Sequence, residues 1–172
     1  MTSIIDLANK APFQLWKETM KLKGFGLLKI PMIFFCGPKI LKLDENEVRI
    51  SIPLNYRTRN HLGGAYFGTL CVGADVAGGL LAMQEIQRRG NKMNLIFKDF
   101  HAEYLKRAES DVTFSSKDGP KMVALVARAE ASGVREEDTV EVVATCPEKL
   151  GDEPVARFKL TISLKQKKDV KK

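Results

Sequence analysis

The chain has 172 residues, 44% of them hydrophobic, enough for one domain with a real core and too few for two. Its net charge is +7, but five lysines fall within residues 165–172, a basic end with no interleaved aromatic residue to stack on bases, so no nucleic-acid partner is expected. No apolar run reaches the roughly eighteen residues of a membrane span, and the N-terminus lacks the cationic, apolar and small-residue succession of a secretory leader, so the expected location is cytoplasmic.

Cys36, Cys71 and Cys146 are far apart and odd in number. Without the paired spacing of a zinc site or a redox dithiol they read as reduced packing residues, and no metal is expected. Outside the tail the basic surplus is mild and suits an anionic small-molecule ligand.

Residues 3–23 place Ile4, Leu7, Ala8, Ala11, Leu15, Trp16 and Met20 at helical spacings, with Pro12 suited to the first turn of a second helix. Two short helices packed across the body of the domain are expected here, in preference to a membrane-surface segment. Ile40, Leu41 and Leu43, then Val48, Ile50, Ile52 and Leu54, form two strand-like runs around the turn residues Asp44 to Glu47, which is a β-hairpin. A polar loop over residues 55–64 leads into residues 65–88, largely apolar and small, with Gly73, Ala74, Ala77, Gly78 and Gly79. A helix so poor in charge must be enclosed, and its small residues admit a close neighbour. After Gly90 the pattern is strand-like: residues 93–107, 110–116, 121–132, 139–146 and 154–166, joined by turn chemistry at 117–120, 133–138 and 149–153. Short helices, two strands, one long buried helix and a run of antiparallel strands make an α+β domain whose sheet edge or face is suited to pairing with a second copy. The expected organisation is a helical lead-in over 1–38, the body over 39–166 and a basic tail over 167–172.

The stretch from Asn60 through His61, Gly63, Gly64, Tyr66, Phe67 and Gly68 to Asp75 resembles the loop and helix start of hotdog-fold acyl-CoA thioesterases of the phenylacetate-pathway type. A gapless alignment that places Asp75 on that family's catalytic acid puts Gly68 and Phe67 on its paired glycines, Tyr66 on its histidine and Asn60 on its asparagine. Residues 99–108 also look like the family's third strand. The resemblance covers roughly residues 39–165. It implies a hotdog fold, a curved antiparallel sheet wrapped around one long central helix, here with extra N-terminal helices, and a homodimer or dimer of dimers.

The implied activity is hydrolysis of an acyl-CoA, with coenzyme A as part of the substrate and no separate cofactor. Such hydrolysis needs a carboxylate to activate water or attack the carbonyl, and donors aimed at the oxyanion. By the resemblance, Asp75 supplies the first and the backbone N–H groups of Phe67 and Gly68, at a helix start, the second. Asn60 would orient the water or the carbonyl. Candidate substrate contacts are His61, Gly64 and Tyr66 in the loop, with Arg88, Arg89 and Lys98 for the coenzyme A phosphates; Arg88 and Arg89 equally suit a solvated helix end.

Tyr66-Phe67 departs from the family's His-Gly and sets a ring where the thioester approaches the backbone. A non-catalytic acyl or acyl-CoA binding protein is therefore the alternative. His61, fourteen residues before Asp75, also resembles the His and acid pair of hotdog 3-hydroxyacyl dehydratases, although that family's intervening prolines are missing.

Overall fold

A computed structural model describes residues 12–167. The expected N-terminal residues Ile4, Leu7, Ala8 and Ala11, and the lysines beyond Lys167, lie outside the described residues. The chain begins with α1 (Pro12–Lys29) and α2 (Pro31–Cys36), the two separated at Ile30 because Pro31 starts a new first turn. β1 (Lys39–Leu43) and β2 (Val48–Ile52) form the expected hairpin. Asp44 closes its turn by accepting the N–H groups of Asn46 and Glu47 at 2.9 and 2.8 Å.

α3 (Phe67–Arg88) then carries the chain from one side of the sheet to the other, where β3 (Met93–Tyr104) forms the far edge. β4 (Val112–Ser116), α4 (Gly119–Ser132), β5 (Glu136–Thr145), the short α5 (Pro147–Leu150) and β6 (Pro154–Gln166) complete the order. The six strands pair antiparallel in the sequence β1-β2-β4-β5-β6-β3.

The inner face of the sheet is set by period-two alternation: Val48, Ile50 and Ile52, Val112 and Phe114, Val140 and Val142, and Phe158, Leu160 and Ile162 are all buried. α3 lies on this face, its backbone close against the sheet's side chains at two glycines. A β-carbon at Gly73 would stand 2.2 Å from the Phe114 ring, and one at Gly78 would stand 3.1 Å from Val140. Glycine at these positions is what lets the helix come so near.

β3 keeps its apolar side chains inward through an irregularity. Phe97 pairs with Ile162, but Asp99, not Lys98, pairs with Thr161. The extra residue at Lys98 reverses the alternation, so Leu95 and Phe97 before it, and Phe100, Ala102 and Tyr104 after it, share one face.

Residues 121–132, expected as a strand, are the helix α4, which packs beside α3 on β5 and β6. Met122, Leu125, Val126 and Ala129 are its buried residues, at three- and four-residue steps, Pro120 sits in its first turn, and Gly133, at φ +64°, ends it. The valines of this stretch imitate a strand, but the spacing of the buried set is helical. The expected turn at 117–120 is therefore a helix start, and the single central helix has a shorter companion. Among the described residues one helix, α3, is long and apolar enough to cross a membrane, although its apolar residues form no unbroken run; it is the core helix, more than half of it buried.

Gly73→Ala forces a methyl group into the Phe114 ring and should lower unfolding stability by about 1–3 kcal/mol. Gly24→Ala in α1, where a β-carbon meets nothing within 4 Å, should raise it by roughly 0.5–1 kcal/mol. Denaturant unfolding of the two variants checks both signs.

Candidate active site

The loop between β2 and α3 is fixed by its own polar groups. Thr58, buried, donates from Oγ1 to the Pro53 carbonyl at 2.6 Å, while its own carbonyl accepts the Tyr66 N–H at 2.8 Å and the Thr69 hydroxyl at 3.3 Å. Asn60 closes the tip: Oδ1 accepts the Leu62 N–H at 2.9 Å, and its N–H donates to the Gly64 carbonyl at 2.7 Å. Ala65 N–H donates to the Ala108 carbonyl at 2.7 Å, and Arg107 donates to the Leu62 carbonyl at 2.9 Å, which ties the loop to the segment after β3. Asn60 thus holds the loop, the Asx-turn role common for this residue. Its Nδ2 has no partner among the described residues.

This loop, the start of α3 and the end of β3 enclose a cleft of about 310 Å3. Of the sequence candidates, Asn60, His61, Gly64, Tyr66 and Phe67 line it. Leu70, Tyr104, Lys106 and Arg107 line it as well. These last four were not singled out as site residues, since they become neighbours of the loop only when β3 closes against α3. The Tyr66 and Phe67 rings lean on one another with centroids 4.8 Å apart, both more than 45% exposed, and both residues line the cleft. The N–H groups of Thr69 and Leu70 are taken by the Tyr66 carbonyl; those of Phe67 and Gly68 have no acceptor among the described residues. They are the orphan donors of a helix start.

Asp75 lies elsewhere on α3. Seven residues beyond Gly68, it is about 10 Å further along the axis and is not part of the cleft wall. It belongs to the row Cys71, Asp75, Gly79, which faces β3: Cys71 Sγ is 3.3 Å from the Tyr104 hydroxyl, and a β-carbon at Gly79 would touch the Phe97 ring at 3.5 Å. Asp75 is half-buried, and no hydrogen bond or ion pair engages its carboxylate among the described residues. Burial, acting alone, pushes its carboxyl above the ordinary carboxylate range. Beside it, burial and the Cys71 contact push the Tyr104 phenol up to about 12, so that it stays a neutral hydroxyl. Cys36 and Cys146 are buried packing residues as expected; Cys71 is half-buried and has this polar neighbour.

Arg88, Arg89 and Lys98 do not join the cleft. Arg88 and Arg89 sit at the opposite end of α3, where both donate to the buried Glu85 at 2.7 and 2.5 Å, and Lys98 pairs with Glu137 at 2.7 Å on the exposed side. Each of these cations is paired with a carboxylate and none lines the cleft. His61 is exposed at the cleft mouth and shares no pocket with Asp75 within one chain. The pairing that a dehydratase needs is therefore not assembled in one protomer.

The sequence profile of the family described as "Domain of unknown function (DUF4442)" matches residues 21–164. Among solved structures, one from Pseudomonas aeruginosa, described as a protein of unknown function and probable thioesterase, superposes with a TM-score of 0.71 at 22% identity, covering 87% of this chain and 96% of that one. A protein of unknown function from Chlorobaculum tepidum gives 0.74 at 18% identity, over 95% and 99%. A thioesterase from Haemophilus influenzae gives 0.60 at 14% identity, over 93% and 95%. No curated protein matches the sequence. At these identities the likeness establishes the hotdog fold.

Because folded Asp75 keeps its proton to a higher pH than the unfolded chain does, stability falls as pH rises through the ordinary carboxylate range to the raised value, and the deficit persists above it. Asp75→Asn should therefore raise the melting temperature at about pH 7, with the gain vanishing below about pH 4. Calorimetry of both proteins across this range measures it.

Proposed function

This chain belongs to the DUF4442 family, and we propose that it is a thioesterase of the hotdog class that hydrolyses an acyl-CoA to a free acid and coenzyme A. The observation that carries the reading is Asp75: a carboxylate taken part of the way out of water on a core helix, with no partner among the described residues to balance it. A buried charge without a partner costs stability, and a raised carboxyl pKa brings a base nearer to working pH.

In the proposed reaction Asp75 takes a proton from water, and the water oxygen attacks the thioester carbonyl carbon. The negative charge moves to the carbonyl oxygen, which accepts the free N–H groups of Phe67 and Gly68 at the positive end of α3. The tetrahedral species re-forms its C=O bond, the C–S bond breaks, and the departing thiolate takes the proton from Asp75. Asn60, through Nδ2, orients water or carbonyl at the cleft. Lys106 and Arg107, which line the cleft, are the proposed cations for the coenzyme A phosphates, exchanging their carboxylate partners Glu153 and Glu109 for phosphate on binding. Acyl-CoA chemistry also fits the cytoplasmic location expected from the sequence.

One protomer cannot complete this site, because about 10 Å of helix separates its carboxylate from its amides, whereas one thioester must touch both. A second copy with its α3 antiparallel supplies the missing half: Asp75 of one protomer then meets Phe67 and Gly68 of the other. The 12-residue edge strand β3, whose outer edge is unpaired among the described residues, supports such a dimer, since long open edges recruit another chain. A non-catalytic acyl-CoA binder is the second reading, favoured by the Tyr66 and Phe67 rings at the cleft.

Thiol release from a panel of acyl-CoA substrates tests the proposal. Wild type should cleave at least one, and Asp75→Asn should lower kcat by roughly 10²–10⁴-fold; binding without release by wild type would establish the second reading instead. Mixed dimers of Asp75→Asn and Gly68→Val subunits carry one intact shared site and should recover activity that neither parent has. Recovery no greater than the parents' sum would place both groups in one protomer.

A further inference from the structure

α1 faces the wrong way for a helix that only packs on its domain. Thr19, Leu22 and Gly26 are its buried residues; Thr19 Oγ1 accepts the Ile40 N–H at 3.0 Å, and Gly26 lies against α2, where a β-carbon would be 2.7 Å from the Phe34 nitrogen. A different face carries Phe13, Trp16, Met20 and Leu27 at three-, four- and seven-residue steps, with Leu28 beside them. Phe13 is 62% exposed, Trp16 57%, Leu27 56% and Leu28 79%. The expectation that this segment packs across the body therefore holds for one narrow strip, and no described residue covers the larger apolar face. Lysines flank it on both sides, Lys17 and Lys21 on one and Lys23 on the other. Over residues 12–36 four lysines (17, 21, 23 and 29) stand against Glu18 alone, a net charge of +3 (4 − 1).

We infer that α1, with the adjoining α2, docks this protein on the surface of an anionic lipid bilayer. Lysine is depleted at the centre of protein interfaces, which argues against a second copy as the occupant. An anionic bilayer instead rewards both halves of the pattern, apolar and aromatic side chains entering the headgroup boundary and lysines beside them. Phe13 and Trp16 already stack in parallel planes 9° apart, and Lys17 Nζ stands 4.5 Å over the Phe13 ring. α2 continues the surface with Met32, 58% exposed, and Phe35, 47% exposed. Its end touches the functional region: the Phe35 ring lies 5.7 Å from the Arg57 guanidinium, and Cys36 lies against Thr69 in the first turn of α3. Docking through this pair holds the cleft beside the lipid. The inference rests on this surface and is independent of whether the cleft hydrolyses a thioester.

Flotation of the full chain with phosphatidylcholine vesicles, with and without about 30% phosphatidylglycerol, tests it. Wild type should bind the anionic vesicles and lose binding in high salt. Trp16→Ser with Leu28→Ser should weaken binding at least about tenfold, and Lys17→Glu with Lys21→Glu and Lys23→Glu should do so by about fivefold or more per lysine. Melting temperature and light-scattering mass should be unchanged in both variants. Wild type that ignores every vesicle, or variants that bind as well as wild type, would overturn the inference. So would variants whose mass falls, because the face would then be a contact between copies.

Discussion

The seating of α3 on the sheet is the constraint from which the other features follow. Gly73 against the Phe114 ring and Gly78 against the Val140 side chain let the helix backbone settle directly on the side chains of the sheet. With the helix so deep, whatever its β3-facing row carries is partly withdrawn from water, and that row carries Asp75. A carboxylate on an ordinary surface helix would keep its hydration and its usual pKa; here depth alone raises it. The same seating brings the first turn of α3 against the Thr58 carbonyl, where the Phe67 and Gly68 N–H groups have no acceptor among the described residues and Phe67 lines the cleft.

The irregularity at Lys98 serves the same end. Without it, either the Leu95 and Phe97 half or the Phe100 and Tyr104 half of β3 would point outward, and α3 would lose one of its contacts with the edge strand. With both halves inward, Phe97 covers Gly79 and Tyr104 reaches Cys71, one helical turn to either side of Asp75. The carboxylate lies along a helix row bracketed by aromatic contacts, facing the edge strand β3.

Much of this architecture was legible in the sequence. The β1–β2 hairpin, the long helix and the boundaries of β6 follow from alternation, turn residues and small-residue density. α4 was not read, because its valines and alternating small residues imitate a strand over short windows, while its buried set has the helical step and its ends carry Pro120 and Gly133. In the site, Asn60, His61 and residues 64–67 of one short loop fall around one cleft. Tyr104, Lys106 and Arg107 come from forty residues away and become visible only through the β3–β6 register. Arg88 and Arg89 looked ligand-seeking because charge in a sequence carries no partner; Glu85, one turn earlier and buried, is the partner. The separation of Asp75 from the amides was implicit in a rise of about 1.5 Å per residue, and it is the reason the proposed reaction is written across two protomers.

The central claim is that Asp75 is a desolvated, unpartnered carboxylate at the place where an acyl-CoA binds. Carbon-detected NMR titration of its carboxyl group, with and without a non-hydrolysable thioether analogue of an acyl-CoA, measures this directly. A midpoint above the ordinary value of about 3.9 that moves when the analogue binds is the predicted result. A midpoint at or below that value, unmoved by the analogue, would contradict the account.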